Sequence, residues 1–406
     1  MFKKIIAKKN LEAAYLKMAQ DMELDGRSYR YCGWDSWKLS DIELRSAEIL
    51  DQIQTELKEF KSLVPAVLFK IPKKSNPQKF REIYIYNLKE RIKAQAIYQI
   101  VEPIFDQYFS PYLYSYRSSH SSYFAARSVT RHYKKYHQRD FVFIGDLSDY
   151  SNYTGHRQLK EKIKALNLGE DVERLLFLFI GNEVVRDGAI TKPKVGLVQG
   201  VPLIALFNNL YLDDFDKYVG PKTDFYRRVG DDLILFAREE KRLLPLQAYL
   251  TKEADDLGLK INQEKSALHQ PGEDFNFLGY HFSQGLISLP ANYKKALLLK
   301  WRQQFSYYYS RSEDDKKRYL QRMIHRDRQN LKEQFDQLAE QKKFVNDERQ
   351  LRDLSESFFR ILTRYFFKDY TERNRRLLPA KLKRMGLSSV YKHFVNTRYG
   401  AFKGKN

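Results

Sequence analysis

The segment Arg228-Val229-Gly230-Asp231-Asp232-Leu233-Ile234-Leu235-Phe236 restricts the fold of this chain more than any other. β-branched, aliphatic and aromatic residues flank a glycine and two adjacent acids. This reads as two short strands joined by a tight turn, with Gly230 letting the backbone bend and the carboxylates at the apex. Carboxylates that close resist joint ionisation unless a cation lies on them, and the polar flanks of an ordinary solvated Asp-Asp turn are missing. A second segment, Phe141-Val142-Phe143-Ile144, reads as a buried strand delivering Asp146 at its end. A strand end and a hairpin tip can therefore bring three acids, far apart in sequence, to one place.

Oxygen donors of this kind suit hard divalent cations. Two such ions about 3.5 to 4 Å apart stabilise the attacking and leaving oxygens of an in-line displacement. The residues thus point to Asp146, Asp231 and Asp232 as ligands of two magnesium ions, with manganese as the substitute, and to phosphoryl-transfer chemistry.

At 406 residues the chain is long enough for two or three subdomains. Its net charge of +21 is uneven: residues 1–290 carry 43 basic and 38 acidic side chains, residues 291–406 carry 29 and 13. Such a surplus attracts polyanions and makes their binding salt-dependent. Aromatic residues make up 15%, with 29 tyrosines, enough for both core and base-stacking platforms. Cys32 is the only cysteine, so there is neither a disulfide framework nor a thiolate zinc site, and the expected location is the cytoplasm. No apolar stretch approaches the roughly 18 residues of a membrane span. The basic start at Met1-Phe2-Lys3-Lys4 is not followed by a signal-peptide core.

Periodicity divides the chain into a helical extension over 1–62, a mixed region over 63–290 and a basic helical region over 291–406. Val67–Pro72 and Arg81–Tyr86 read as a hairpin carrying Lys73, Lys74, Lys79 and Arg81. Helices are expected over Lys89–Phe105, Leu159–Ile180, Pro202–Tyr218 and Leu243–Leu257, and a hairpin arm over Val184–Ile190. A strand is expected over Phe275–Phe282, with long helices beyond Pro290.

In this order the segments resemble a reverse transcriptase, in particular the bacterial group that includes retron and defence-associated enzymes. Ile71-Pro72-Lys73 and Lys79-Phe80-Arg81-Glu82-Ile83 look like the fingers hairpin, followed by Lys89-Glu90-Arg91 and Tyr114-Ser115-Tyr116-Arg117. Asp146 falls at the first catalytic carboxylate, and Asp231 with Asp232 at the paired aspartates. Gln199-Gly200-Val201-Pro202-Leu203 with Asn209-Leu210-Tyr211-Leu212 resembles the nucleotide-pocket turn and helix. Leu257 to Ser266 and Phe277-Leu278-Gly279-Tyr280 match the last two palm motifs.

The resemblance implies an α+β right-hand polymerase, with fingers and an antiparallel-sheet palm over 63–290 and an all-helical basic thumb over 291–406. It implies an RNA-directed DNA polymerase that uses deoxynucleoside triphosphates to copy a structured non-coding RNA into DNA, in bacterial antiphage defence. The pattern fits a homo-oligomer and no membrane partner. Lys73, Lys74 and Arg81 would grip the triphosphate. Gln199 and Gly200 would admit the nucleotide, Lys265 would protonate pyrophosphate, and Phe277, Leu278, Gly279 and Tyr280 would support the primer. Trp301, with Phe305 and Tyr307-Tyr308-Tyr309, would stack on bases, or pack as core. Lys381 to Arg384 and Lys392 form a basic tail suited to RNA phosphates.

Three departures stand out. Val229 replaces the tyrosine usual before the aspartates, and Ile204-Ala205 replaces Ser-Pro. Ser151 stands where a bulky aromatic ordinarily excludes the ribose 2′-hydroxyl, which predicts weaker sugar discrimination unless Tyr150 or Tyr153 fills the space. Nothing resembles an appended endonuclease, a Cys/His metal cluster or a carboxyl-terminal Val-Thr-Gly, so a stand-alone defence-associated or abortive-infection enzyme is the expected subgroup. The alternatives are template-free or protein-primed synthesis within the same family, and an RNA-binding scaffold or maturase-like protein with a vestigial site.

Overall fold

The computed structural model describes residues 1–24, 38–73, 76–117, 120–148, 150–306, 312, 314–316, 318, 331–367, 370–384 and 389–403. It divides into two compact units, one of 1–125 with 141–268 and one of 126–140 with 269–406. Among the described residues no helix is long and apolar enough to cross a membrane.

The first unit is built around the helix Leu88–Tyr108. Asn87 caps its start by accepting from the Glu90 amide at 2.9 Å, and Ile92, Ala96, Ile97, Val101 and Phe105 are fully buried along it. The helices Phe2–Ile5, Lys8–Leu24 and Ser46–Lys58 pack on this helix. A buried lysine fixes the last of these: Lys93 Nζ reaches Glu90 at 3.0 Å and Glu56 at 2.7 Å. The amino-terminal helices therefore share the core of the first unit.

Strands β1 (Ala66–Lys73) and β2 (Asn76–Ile85) form the expected hairpin, with Val67 opposite Ile85 and Ile71 opposite Arg81. Strand β3 spans Phe141–Ser148. Strands β4 (Val184–Arg186) and β5 (Ala189–Thr191) turn at Asp187 and Gly188, both at positive φ as a type I′ turn requires. β4 joins β1 in parallel, giving a sheet in the order β2-β1-β4-β5. Strands β6 (Phe225–Val229), β7 (Asp232–Ala237) and β8 (Lys260–Ile261) form with β3 the path β6-β7-β3-β8 of a five-stranded sheet, each of these pairs antiparallel, and the strand Ala267–His269 also pairs with β3. Leu233, Ile234, Leu235, Phe236 and Ala237 are all at most 1% exposed, which explains why β7 is apolar without alternation: both faces are covered.

Two expected single helices are broken. Leu159–Ile180 is instead His156–Lys164 and Glu170–Ile180, interrupted where Asn167 and Gly169 adopt positive φ. Pro202–Tyr218 is Leu203–Tyr211 and Asp213–Val219.

The second unit contains most of the helix Ser122–Tyr136, a three-stranded antiparallel meander and the carboxyl-terminal helices. The single strand expected over 275–282 is two strands, Phe275–Phe277 and Tyr280–Ser283, followed by Leu286–Ser288. The pairs Leu278-Gly279 and Gln284-Gly285 all have positive φ and fold the chain back twice. Tyr133 lies edge-on to Phe275 and Phe282 with centroids 5.5 and 5.0 Å away. Trp301, Phe335 and Phe358 form the aromatic centre of the helices Ala291–Ser306, Leu331–Gln341 and Glu348–Phe367.

Candidate active site

The site is assembled by the register of β3 against the β6–β7 hairpin. Asp146 is the direct cross-strand partner of Asp232, and the Leu147 amide donates to the Asp231 carbonyl at 3.1 Å. Residues paired across two strands share a face, so both carboxylates leave the sheet on the same side. The strands are close at this point: a Cβ at Gly145 would lie 2.8 Å from the Leu233 side chain opposite. Gly230, at φ +67°, is the first central residue of the two-residue turn, the position where a type II′ hairpin takes glycine.

Residues 262–266 clamp Asp146. Its carbonyl accepts from the Asn262 amide at 2.8 Å, and its amide donates to Ser266 Oγ at 3.1 Å. Lys265 Nζ then donates to Asp146 Oδ2 at 2.9 Å. The hydrogen bond to Asp146 holds the Lys265 ammonium above its ordinary titration range, although its side chain is 64% exposed. In this arrangement Lys265 is a counter-ion more than an acid, because a raised pKa retains the proton.

Burial, and then the charges of Asp231 and Asp146, push the Asp232 carboxyl up to about 6, with Lys265 offsetting part of this. The folded state holds this proton more tightly than the unfolded chain, so the penalty is small near pH 4, grows through pH 6 and is complete above it. Asp232→Asn is therefore expected to stabilise the metal-free protein by about 3 kcal/mol at pH 8 and about half that at pH 5. Urea midpoints in the presence of a chelator measure this; an equal gain at both pH values would mean that the carboxyl is not repelled by its neighbours.

A sheet built to hold mutually repelling carboxylates fits a hard dication, which would relieve the repulsion with oxygen ligands alone. Among the described residues, however, no three His, Cys, Asp or Glu side chains are already drawn to metal-ligand spacing.

Behind the hairpin lies a buried ion pair. Arg228 and Asp216 both have fully buried side chains: Arg228 Nε donates to Asp216 Oδ1 at 2.9 Å and Nη2 to Oδ2 at 2.7 Å. Arg228 also donates to the carbonyls of Gly230 (3.0 Å) and Asn209 (3.3 Å), and Tyr226 Oη donates to Asp216 Oδ1 at 2.8 Å. The guanidinium thus holds the turn that carries Asp231. Tyr114-Ser115-Tyr116-Arg117 adjoins it: the Arg228 amide donates to Tyr112 and its carbonyl accepts from Tyr114. Ser115 and Asn209 bond each other's side chains.

Ser151 is turned into the core. It is 4% exposed, and its hydroxyl accepts from Asn208 Nδ2 at 2.7 Å. Half-buried Tyr150 is the neighbour of the hairpin tip, its hydroxyl 4.0 Å from where a Cβ on Gly230 would stand, whereas Tyr153 is 55% exposed. Gln199 and Gly200 are exposed on a turn pressed against the end of β2.

Lys74, and the side chains of Lys73, Arg81 and Lys381 to Arg384, lie outside the described residues, as do Tyr307, Tyr308 and Tyr309. In the second unit, Phe277 and Tyr280 are 4% exposed and belong to the core, leaving Leu278 and Gly279 as the accessible turn. Lys342 Nζ donates to the Gly279 carbonyl at 2.9 Å. Trp301 corrects the stacking expectation: at 1% exposure, with Phe358 4.7 Å and Phe335 5.7 Å from its ring, it packs the helices and offers no face to a base.

The family model described as reverse transcriptase (RNA-dependent DNA polymerase) matches residues 71–282, just over half of the chain. The chain belongs to the reverse transcriptase family. The match contains all three aspartates, and the fold class is that of a palm-and-fingers polymerase. The chain is also 26% identical over 208 residues to Protein YkfC of Escherichia coli (strain K12), covering 50% of this chain and 54% of that protein. It spans about half the length of that curated relative. Among solved structures it is similar to the telomerase from Candida albicans in complex with a fragment of telomeric RNA, at 13% identity and a TM-score of 0.47, covering 91% of this chain and 68% of that one. It is likewise similar to the apo telomerase from Candida tropicalis, at 13% identity and 0.47, covering 89% and 68%. At that level the two structures add nothing to the assignment.

Proposed function

We propose that this reverse transcriptase-family protein is an RNA-directed DNA polymerase that extends a primer by attack of its 3′-hydroxyl on the α-phosphate of a deoxynucleoside triphosphate. The pairing of Asp146 with Asp232 beside Asp231, within the residues that match the family, carries this reading. Asp146 and Asp231 would hold two divalent cations, magnesium by donor type, with Asp232 assisting. When bound, these ions stabilise charge on the attacking and leaving oxygens. The chain's own part is positioning: β3 and the β6–β7 hairpin fix the carboxylates, and residues 262–266 hold Asp146 from behind. Lys265, paired with Asp146 at 2.9 Å and 64% exposed, would supply the ammonium nearest these carboxylates to offset charge on the departing pyrophosphate.

A net charge of +21 supports an RNA template and a nucleic-acid product. Sequencing RNA and DNA that copurify with the wild type and with Asp231→Asn tests the assignment: complementary DNA is expected with the wild type alone, and the same DNA in both preparations would refute it. The defence role implied by the resemblance is part of this proposal, and the same pair of proteins compared in phage plating is its test.

Sugar selection should follow Tyr150 rather than Ser151, because the Ser151 hydroxyl is turned to Asn208 while the Tyr150 hydroxyl lies at the hairpin tip. Tyr150→Ala is expected to lower the preference for dATP over ATP by about tenfold or more, whereas Ser151→Ala leaves it within about twofold. Competition assays with both nucleotides decide this; the reverse ranking would return the selection to Ser151.

A further inference from the structure

The turn that carries Gln199 and Gly200 is held from two sides, and one of the holding groups is a buried tyrosine of the fingers. Tyr86 follows β2 directly, is 1% exposed, and donates its hydroxyl proton to the Val198 carbonyl at 2.8 Å. Its backbone is fixed between the end of β2 and the capped start of the Leu88–Tyr108 helix. Gly200, at φ +123°, lies so close that a Cβ would stand 2.7 Å from the Tyr84 carbonyl oxygen and 3.4 Å from the Tyr86 ring. On the other side the Gly196 amide donates to the Thr154 carbonyl and the Leu197 amide to the Ser151 carbonyl, both at 2.8 Å, and a Cβ on Gly196 would meet the Asn152 carbonyl oxygen at 2.5 Å. The turn therefore bridges the segment that follows Asp146 and the hairpin that carries Lys73 and Arg81.

We propose that Tyr86 is a nucleotide-positioning residue, which through the Val198 carbonyl holds the Gln199–Gly200 turn in register with the fingers hairpin. This rests on the polymerase reading above. Tyr86 touches no substrate; its hydroxyl sets where the exposed backbone of Gln199 and Gly200 stands, and loss of that one bond leaves a buried carbonyl without its donor. The ring fills the same space in phenylalanine, so the fold survives while the turn is released.

Tyr86→Phe is expected to raise the KM for dNTP about tenfold, the effect of one buried hydrogen bond, with kcat and the primer–template Kd within about twofold of wild type. Gly200→Ala, which pushes the same turn from the Tyr84 carbonyl, is expected to move KM in the same direction. A dNTP Kd measured on primer–template in the Asp231→Asn background provides a second readout that needs no turnover. Unchanged KM and Kd in Tyr86→Phe would overturn the proposal while leaving the polymerase assignment standing. A parallel change in KM, kcat, primer–template Kd and thermal midpoint would also overturn it, since that marks a structural role only. A wild-type protein that neither binds nor incorporates dNTP removes the polymerase reading and this proposal together.

Discussion

Asp231→Asn is expected to lower single-nucleotide incorporation by about a thousandfold or more while the thermal midpoint stays near that of the wild type. The substitution keeps the volume of the side chain at the hairpin tip, and the Asp231 carbonyl that accepts from the Leu147 amide is untouched, so the β3–β7 register persists. What disappears is one negative charge where the proposed mechanism places a bound cation. A thousandfold loss corresponds to about 4 kcal/mol of transition-state stabilisation, a typical loss when one preorganised electrostatic group is removed from a water-poor site. Magnesium titrations on an RNA template with a DNA primer measure this, and higher magnesium should recover part of the rate. Incorporation within about tenfold of wild type, in protein free of contaminating polymerase, would show that Asp231 holds no essential cation. Asp146→Asn should lose as much activity and also remove the Lys265 ion pair, so its midpoint should depend less on salt than that of the wild type.

The strands that carry the carboxylates were legible in sequence because their signals are local. The alternating segment Phe225–Val229 before Gly230 and the apolar run Leu233–Ala237 after the two acids read as a hairpin, and Phe141–Ile144 as a strand. The rest depends on facts that residue type does not carry. Asp213, Asp214 and Asp216 read alike along a short helix, yet Asp213 and Asp216 are buried and Asp214 is exposed. Only Asp216 meets Arg228, a residue that sequence reading treats as a flank of the turn rather than its anchor. Alternation offered a signal, since Tyr226 and Arg228 fall on the β6 face opposite Arg227 and Val229. Ser151 occupies the expected place along the chain, but the rotation of the short helix Tyr150–Tyr153 turns it toward Asn208 and leaves Tyr150 near the hairpin. The meander at 275–288 was hidden because Leu278 and Gln284 adopt the left-handed conformation that residues of their type usually avoid. Trp301 sits in a basic helix, where an aromatic residue reads equally as a stacking platform or as core; only packing against Phe335 and Phe358 distinguishes them.

Breaking the Arg228–Asp216 pair should be the most destabilising single change near the site. Neither side chain has measurable exposure, so Arg228→Met leaves a carboxylate, and Asp216→Leu a guanidinium, buried without its counter-charge. Each is expected to cost about 3 to 5 kcal/mol, read as a shift in urea midpoint at unchanged slope. Arg228→Lys should fare little better, since an ammonium cannot reach Asp216 with two parallel bonds while also holding the Gly230 and Asn209 carbonyls. The combined variant separates stability from function. Arg228→Met with Asp216→Leu removes both charges and should recover most of the loss, and adding Tyr226→Phe removes the hydroxyl otherwise left without its acceptor, worth about 1 to 3 kcal/mol. Incorporation should not recover with it, because the Gly230 carbonyl has lost its donor and the turn beneath Asp231 is no longer fixed. A triple variant restored in both stability and incorporation would mean that the pair serves folding alone and that strand register suffices to place the aspartates.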